Sequence, residues 1–188
     1  TYTFKLREGV TFHDGSDFTS EDVKYTFEFY ADPENGSLLA NNFKGMGSIE
    51  TPDDYTVVIN MDEVNAAFLI NGATSFIVPS DYHAEVGEDG YTSAPIGTGP
   101  FMLSDWVPAE FTELVRFDDY FLGTPHLDVL RQETVPEPSV RAIALETGEA
   151  DAATWPLLVE DSIRLRDEEE GYTVFNPPGN SVKHFPIN

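Results

Sequence analysis

The sequence has no cysteine, few basic residues and no long apolar run. Without cysteine among its 188 residues, the chain can form no disulfide, no thiolate metal site and no cysteine nucleophile. No stretch of about 18 consecutive apolar residues is present, so the sequence predicts no membrane-spanning helix. These absences favour a folded domain that is stabilised without covalent cross-links.

The scarcity of basic residues leaves a strongly acidic chain. Ten Lys and Arg residues stand against 34 Asp and Glu residues, which gives a net charge of −24. This charge would repel phosphates, so we predict that the protein does not bind nucleic acid. The carboxylates are dispersed, and such a coat costs stability unless salt screens it. We interpret the acidity as adaptation to concentrated salt; an ordinary acidic surface is the alternative.

The apolar and aromatic content argues for a folded protein. Apolar residues make up 40% of the chain and aromatic residues 13%, whereas disordered acidic segments contain few aromatics. A length of 188 residues suits one large domain or two small subdomains with a real hydrophobic core. Because hairpin and helix patterns are mixed along the chain, we predict an α/β or α+β fold class.

The first half of the chain is predicted to combine a small sheet with helices. Residues 1–7 alternate apolar and polar side chains, which predicts a half-buried strand. A helix is predicted to follow Thr19, an N-cap residue, and to end near Ala31 before a proline. Further predictions are a hairpin at 48–61 with a four-residue turn at 51–54, a short helix at 66–70, a buried strand at 76–78, a helix opening at 79–81 and a loop at 86–97.

The second half is predicted to contain three strands and two helices. The strands are placed at 101–107, 111–117 and 127–135. A helix is predicted to start at Pro136 or Pro138 and to end at Gly148. A second helix at 157–169, a strand at 172–175 and a further strand at 181–187 complete the prediction.

Motifs that could support catalysis or metal binding are weak. The segment Gly97-Thr98-Gly99-Pro100 lacks the lysine and the helix of a phosphate-binding loop, so we interpret it as a tight turn. The four histidines show neither HExxH nor i, i+4 spacing, and the acidic residues at 14–22 lack the spacing of a calcium loop. We therefore predict no catalytic residues, no metal site and no cofactor.

Four segments, in order, resemble a known family. Residues 2–29 resemble the signature of the family 5 extracellular solute-binding proteins, the peptide- and nickel-type receptors of ABC importers. Residues 95–101, Pro-Ile-Gly-Thr-Gly-Pro-Phe, resemble the family's glycine turn. Residues 116–127 resemble its N-x-x-Y-W-G-x-x-P-x-L segment, and residues 136–151 its P-D-P-S-T-R … L-x-x-G-E-x-D helix. Asp118, Phe121 and Val140 replace the usual Asn, Trp and Thr, which are mild departures.

The resemblance implies part of a two-lobe receptor. Family members are considerably longer and begin with a signal peptide, often followed by a lipid-anchoring cysteine. The expected fold is lobe I of a type II periplasmic-binding-protein-like clamshell, with the second lobe absent. Residues 1–94 would form the smaller subdomain of lobe I, and residues 95–188 part of its main α/β subdomain, ending at the hinge.

The resemblance also implies a function. The chain is expected to belong to the extracytoplasmic, lipid-anchored substrate-capture component of an ABC importer for oligo- or dipeptides, which is not an enzyme. Its partners would be a peptide or another small solute and the ABC permease in the membrane. An isolated fragment would expose half a cleft and sheet edges, so we expect it to bind ligand poorly and to self-associate.

Three loops are placed near the ligand cleft by the resemblance. The residues expected to contact ligand are Thr74, Ser75, Phe76, Thr154, Trp155, Lys183 and His184. Trp155 would supply apolar area with an N–H donor, or it would pack in the core; both interpretations stay open.

Other functions remain as alternatives. On the same fold, the receptor could bind nickel, heme or an oligosaccharide. A chaperone or signalling receptor would hold peptides without importing them. A secreted hydrolase is an alternative from another class, and removal of His13 or His126 should then abolish turnover.

The dispersed negative charge predicts salt-dependent stability. Because salt screens repulsion between carboxylates, we expect the melting temperature to rise between low salt and molar NaCl. Thermal unfolding followed by circular dichroism at both concentrations measures this change. A melting temperature that does not depend on salt would support the ordinary acidic surface instead.

Overall fold

The computed structural model describes residues 1–154, 156–167 and 171–174. Two compact units divide the chain; the first spans Thr1–Gln132, and the second begins at Glu133. Sheets and helices both contribute, which confirms the predicted mixed α/β class. In the part of the chain described here, no helix combines the length and the apolar character needed to cross a bilayer.

Six strands, four α-helices and three short 3₁₀ or π turns make up the regular structure of the described residues. The strands are β1 Tyr2–Lys5, β2 Met46–Asp53, β3 Thr56–Met61, β4 Phe101–Val107, β5 Phe111–Arg116 and β6 Val129–Glu133. The helices are α1 Ser20–Ala31, α2 Ser80–Ser93, α3 Pro138–Thr147 and α4 Val159–Asp167. The strands form two three-stranded sheets, with the orders β1-β3-β2 and β4-β5-β6.

The first sheet and α1 enclose the main core of the first unit. β3 is the central strand and pairs antiparallel with β1 and β2, with Phe4 opposite Val57 and Ile49 opposite Ile59. α1 contributes Val23 and Phe27 at i, i+4, the spacing that puts both side chains on one face of a helix. The sequence predictions for β1 and α1 are confirmed, because both rested on clear apolar periodicity.

The carboxylate of Asp22 joins the start of α1 to the start of α2. Its Oδ2 accepts hydrogen bonds from the Thr19 backbone N–H (2.8 Å) and the Thr19 hydroxyl (3.2 Å). Its Oδ1 accepts from the Ser80 backbone N–H (2.9 Å) and the Ser80 hydroxyl (2.8 Å). Asp22 is only 6% exposed, so its carboxylate has lost most of its water. The four hydrogen bonds compensate for that loss.

The strand predicted at 76–78 is wrong, and the contacts of α1 explain why. Residues 76–79 have no regular structure. The Val78 backbone N–H donates to the Thr26 hydroxyl (3.1 Å), and the Phe76 carbonyl accepts from the Tyr30 hydroxyl (3.4 Å). Side chains of α1 therefore take the place of a neighbouring strand for these backbone groups.

Two turns also differ from their predictions. The hairpin reverses at residues 54–55 rather than over 51–54, because the Asp53 carboxylate accepts the Tyr55 backbone N–H (3.0 Å) directly after β2. Residues 86–93, predicted as loop, continue α2 beyond a kink at Gly87, whose φ of 68° is left-handed. The predicted helix at 66–70 is a single π turn, Phe68–Gly72.

The remaining elements follow their predicted order more closely. β4 and β5 form an antiparallel pair in which Phe101 lies opposite Arg116. α3 ends at Gly148, which takes the left-handed conformation (φ 75°) expected of a C-terminal glycine. Residues 172–174 form no strand, while Phe175 and the strand predicted at 181–187 lie outside the described residues.

Replacement of Asp22 tests whether its carboxylate stabilises the fold. Asp22→Asn substitutes a donor for one acceptor oxygen, so we expect the free energy of unfolding in urea to fall by about 2–4 kcal/mol. Asp81→Asn is the matched control, because Asp81 is an exposed acid in the first turn of α2 and should change stability by less than about 0.5 kcal/mol. Equal stability of the two variants would contradict the role of Asp22.

Candidate functional site

The predicted contact segment at 74–76 forms an exposed turn after the π turn. The Thr74 hydroxyl donates to the Ile70 carbonyl (2.6 Å), and the Ser75 backbone N–H donates to the Gly72 carbonyl (3.0 Å). Phe76 is 89% exposed although it is fully apolar. The structure thus brings Thr74, Ser75 and Phe76 together on one surface of the first unit.

Apolar side chains extend this surface toward the π turn. Leu69 is 50% exposed and Ile70 is 73% exposed, seven and six residues before Phe76. Three exposed apolar side chains thus occur within eight residues, and exposed apolar area that is concentrated marks an interaction or ligand site more often than single exposed residues do. We call residues 69–76 the 69–76 surface.

Hydrogen bonds with α1 side chains fix the backbone at the end of the 69–76 surface and just after it. Tyr30 bonds to the Phe76 carbonyl, Thr26 bonds to Val78, and Asp22 bonds to Ser80. These side chains recur along α1 at spacings of four residues, so one face of the helix fixes the backbone just after the surface. The backbone carbonyl of Phe76 is bonded to Tyr30, while Phe76 itself stays 89% exposed.

In the second unit, Arg141 organises the loop that contains Thr154. The Arg141 guanidinium donates to the carbonyls of Val135 (2.6 Å), Pro136 (2.8 Å) and Pro156 (2.6 Å). Three carbonyl acceptors suit the several N–H donors that the guanidinium of Arg presents. Thr154 is exposed, two residues before the anchored Pro156. Trp155, Lys183 and His184 lie outside the described residues.

His13 fixes the glycine turn that the sequence analysis interpreted as structural. The Gly97 backbone N–H donates to His13 Nδ1 (3.2 Å), so Nε2 carries the proton and donates to the Gly99 carbonyl (3.0 Å). The imidazole also meets Phe117 edge-on, at 5.2 Å between ring centroids. Both ring nitrogens are therefore used in positioning the turn, and neither is left for acid–base catalysis.

A cleft of about 490 Å³ opens beside His13 and β4. Tyr82, Ile96, Met102 and Trp106 are among its lining residues. Trp106 is 44% exposed, so its ring offers apolar area to a partner or solute. No sequence pattern singled out Trp106; its polar neighbours Ser104 and Asp105 were the one signal that the ring would be accessible.

His83 is a second residue that sequence reasoning missed. It lies on α2, is 7% exposed, and its Nδ1 is 2.9 Å from the Tyr25 hydroxyl of α1. Burial lowers the pKa of His83 below its ordinary value, an effect that the nearby Glu88 carboxylate opposes. No periodic pattern in the sequence joins positions 25 and 83, so only the packing of α1 on α2 reveals the pair.

Comparison with protein families gives a match over the whole chain. The model of the bacterial extracellular solute-binding proteins, family 5, matches residues 1–188. Among curated proteins, the glutathione-binding protein GsiB of Shigella boydii is 36% identical over 192 aligned residues, covering 100% of this chain and 37% of GsiB. The chain spans 29% to 37% of the length of the curated relatives that it matches.

Solved structures give the same fold. NikZ of Campylobacter jejuni in complex with Ni(L-His) superposes with a TM-score of 0.81 and 26% identity, covering 89% of this chain and 34% of NikZ. The oligopeptide-binding protein AppA of Bacillus subtilis in complex with a nonapeptide has a TM-score of 0.73 and 28% identity, covering 79% of this chain and 31% of AppA. These matches confirm the predicted type II binding-protein fold, to the extent of one lobe.

Replacement of His13 tests its role in the glycine turn. His13→Phe keeps a ring against Phe117 but loses both hydrogen bonds, so we expect a loss of about 1–2 kcal/mol in unfolding free energy and faster amide hydrogen exchange at Gly97. His126→Phe, at an exposed position, should change neither quantity. Unchanged exchange at Gly97 in His13→Phe would contradict this role.

Proposed function

Because the chain belongs to the bacterial family 5 extracellular solute-binding proteins, we propose that it forms part of the substrate-capture component of an ABC importer. The family match over residues 1–188 carries this proposal. Members of the family are non-enzymatic transport receptors, which argues against a secreted hydrolase. They act outside the cytoplasm, and we propose the same location for this protein, with a lipid anchor that keeps it near its permease.

The proposed ligand is a short peptide. GsiB is named for binding glutathione, and AppA was solved with a nonapeptide, so two similar proteins hold peptidic ligands. The 69–76 surface offers apolar area at Phe76 and hydroxyl groups at Thr74 and Ser75. Such a mixture suits a peptide, whose backbone needs hydrogen bonds while its side chains need loosely shaped apolar space.

The proposed contact residues come from three loops. Thr74, Ser75 and Phe76 would act from the first unit, and Thr154 would act from the loop anchored by Arg141. The full proposed set is Thr74, Ser75, Phe76, Thr154, Trp155, Lys183 and His184. Closure of a second lobe over this one would enclose the ligand and create the face that the permease recognises.

The division into subdomains and the behaviour of the isolated chain are also proposals. We place the boundary between the smaller subdomain and the main α/β subdomain near residue 94, where α2 has just ended. All five residues of β6 are exposed, and β6 lies at the edge of its sheet. An exposed edge strand can pair with another chain, so self-association of the 188-residue chain is expected.

A nickel–histidine complex is the second candidate ligand. The similarity to NikZ, solved with Ni(L-His) at a TM-score of 0.81, favours it. Within residues 1–154, 156–167 and 171–174, no three His, Asp or Glu side chains form a group that could hold a metal ion. The form proposed for nickel is the histidine chelate, the form in which NikZ was solved.

Calorimetry with the longest natural chain that contains these residues tests the proposal. Mixed di- to nonapeptides should bind, and Phe76→Ser should weaken their affinity about tenfold, because it removes roughly 1–2 kcal/mol of apolar contact. The free energy of unfolding of Phe76→Ser should equal that of the unsubstituted chain, since Phe76 is 89% exposed. Leu122→Ser, at another exposed apolar position, should leave affinity unchanged.

The titrations separate the candidates from one another. Heat released with Ni(L-His) but not with peptides would favour the nickel chelate over the peptide. Absence of binding to peptides, metal chelates, heme and oligosaccharides would overturn the proposed receptor function. Unchanged peptide affinity in Phe76→Ser would remove the 69–76 surface from the binding site.

A further inference from the structure

A cavity of about 330 Å³ lies between α1 and α2, within the first unit. Its volume is at the lower end of the range for small-molecule pockets, about 300–1,000 Å³. The residues of its lining that matter here are Phe29, Tyr30, His83, Glu88, Asp89 and Tyr91. Residues 69–76, which carry the proposed peptide contacts, are not among those that line it.

One nitrogen of His83 has no partner. Nδ1 is engaged by the Tyr25 hydroxyl at 2.9 Å, and no hydrogen bond reaches Nε2 from the residues that the structure describes. Among those residues, Arg141 Nε is the only fully buried side-chain nitrogen or oxygen without a partner, so His83 Nε2 is accessible. His83 is only 7% exposed, and it is one of the residues that line this cavity.

Aromatic rings surround the imidazole. The ring centroids of Tyr25, Phe29 and Tyr91 lie 5.7, 4.9 and 5.1 Å from that of His83, all edge-to-face. The Tyr91 hydroxyl donates to the Ile96 carbonyl at 2.5 Å, so its polar end is already occupied. Phe29, Tyr30 and Tyr91 line the cavity, and aromatic rings attract cations.

The charged groups of the lining are all negative at neutral pH. Glu88 and Asp89 contribute carboxylates, and no Lys or Arg lines the cavity. Burial raises the pKa of Tyr25 and Tyr30, and that of Tyr91 to about 12, so the tyrosines stay neutral. Burial also lowers the pKa of His83 from its ordinary 6.5, so the imidazole is neutral at pH 7 and keeps one acceptor nitrogen.

We propose that this cavity binds a small organic cation that carries N–H groups, such as an alkylammonium ion. The ammonium group donates a hydrogen bond to His83 Nε2, while Nδ1–H donates to the Tyr25 oxygen. The alkyl part lies against Phe29 and Tyr91, and the carboxylates of Glu88 and Asp89 balance the charge. This site is separate from the peptide-binding surface proposed above and does not depend on it.

Nuclear magnetic resonance of the 188-residue chain tests the site with n-butylammonium as the probe. At pH 7.5, NaCl is replaced stepwise by n-butylammonium chloride at constant ionic strength, and the ¹⁵N shifts of the His83 imidazole are followed. We expect a saturable shift of Nε2 with a dissociation constant on the order of millimolar. Tetramethylammonium lacks an N–H donor and 1-butanol lacks a charge, so each should bind at least about tenfold more weakly.

Two variants and a change of pH identify the groups responsible. His83→Phe should abolish binding, as detected by the amide shifts of α2, and Glu88→Gln at an exposed position should weaken it about threefold. His126→Phe and Glu85→Gln, outside the cavity, should leave it unchanged. As the pH falls through the pKa of His83, which burial lowers, protonation removes the acceptor and repels the cation, so affinity should fall.

Several results would overturn the proposal. A His83 shift that does not saturate, or that 1-butanol and tetramethylammonium reproduce with equal affinity, would show that the cavity does not select an N–H cation. Unchanged binding in Glu88→Gln would also contradict the proposal, because the Glu88 carboxylate should balance the charge of the cation. Since Glu88 is exposed, this variant keeps the test available if His83→Phe does not fold.

Discussion

The carboxylate of Asp22 is the constraint on which the arrangement of the first unit depends. It binds the first residue of α2 from the first turn of α1, so the two helices start from a common point. Three residues further along each helix, Tyr25 meets His83 in a second contact of the same pair. Thr26, the residue after Tyr25, accepts a hydrogen bond from the Val78 backbone N–H and so holds the segment that follows Phe76. One buried acid thus positions both the exposed surface at 69–76 and the aromatic cavity.

The excess of acidic residues determines which hydrogen-bond partners are available to buried and half-buried polar groups. With ten basic residues against 34 acidic ones, most carboxylates have no ion-pair partner available. Asp22 is satisfied by N–H and O–H donors alone, and hydrogen bonds from Thr56 and the Tyr55 N–H lower the pKa of Asp53. Conversely, the terminal nitrogens of Arg141 donate to backbone carbonyls rather than to a carboxylate. Hydrogen bonds, rather than salt bridges, therefore determine the geometry around both proposed sites.

Elements with a strong local signal could be predicted from the sequence, and those that depend on distant partners could not. α1 contains acidic residues in its own first turn and an apolar stripe on one face. Its predicted start after Thr19 and its predicted end near Ala31 were therefore both confirmed. The segment 76–78 has the composition of a buried strand, but its backbone groups are taken by Thr26 and Tyr30, about fifty residues earlier. Residues 86–93 have the glycines and polar residues of a loop, yet α2 accommodates Gly87 as a kink and continues. Phe76, the first residue of that predicted buried strand, is instead 89% exposed, and Trp106 and His83 carried no sequence pattern that would single them out.

The sequence by itself determined the family, the mixed fold class, the acidic and disulfide-free character of the protein and the elements whose caps and periodicity are local. These properties depend on composition and on residues within a few turns of each other, which a linear pattern records. The tertiary structure alone decided that His13 fixes the turn at Gly97, that Arg141 anchors the loop at Pro156, and that His83 lies within a ring of aromatic side chains. The physical reason is that each arrangement joins groups on separate elements, brought within hydrogen-bond or ring-contact distance only when the helices and turns pack.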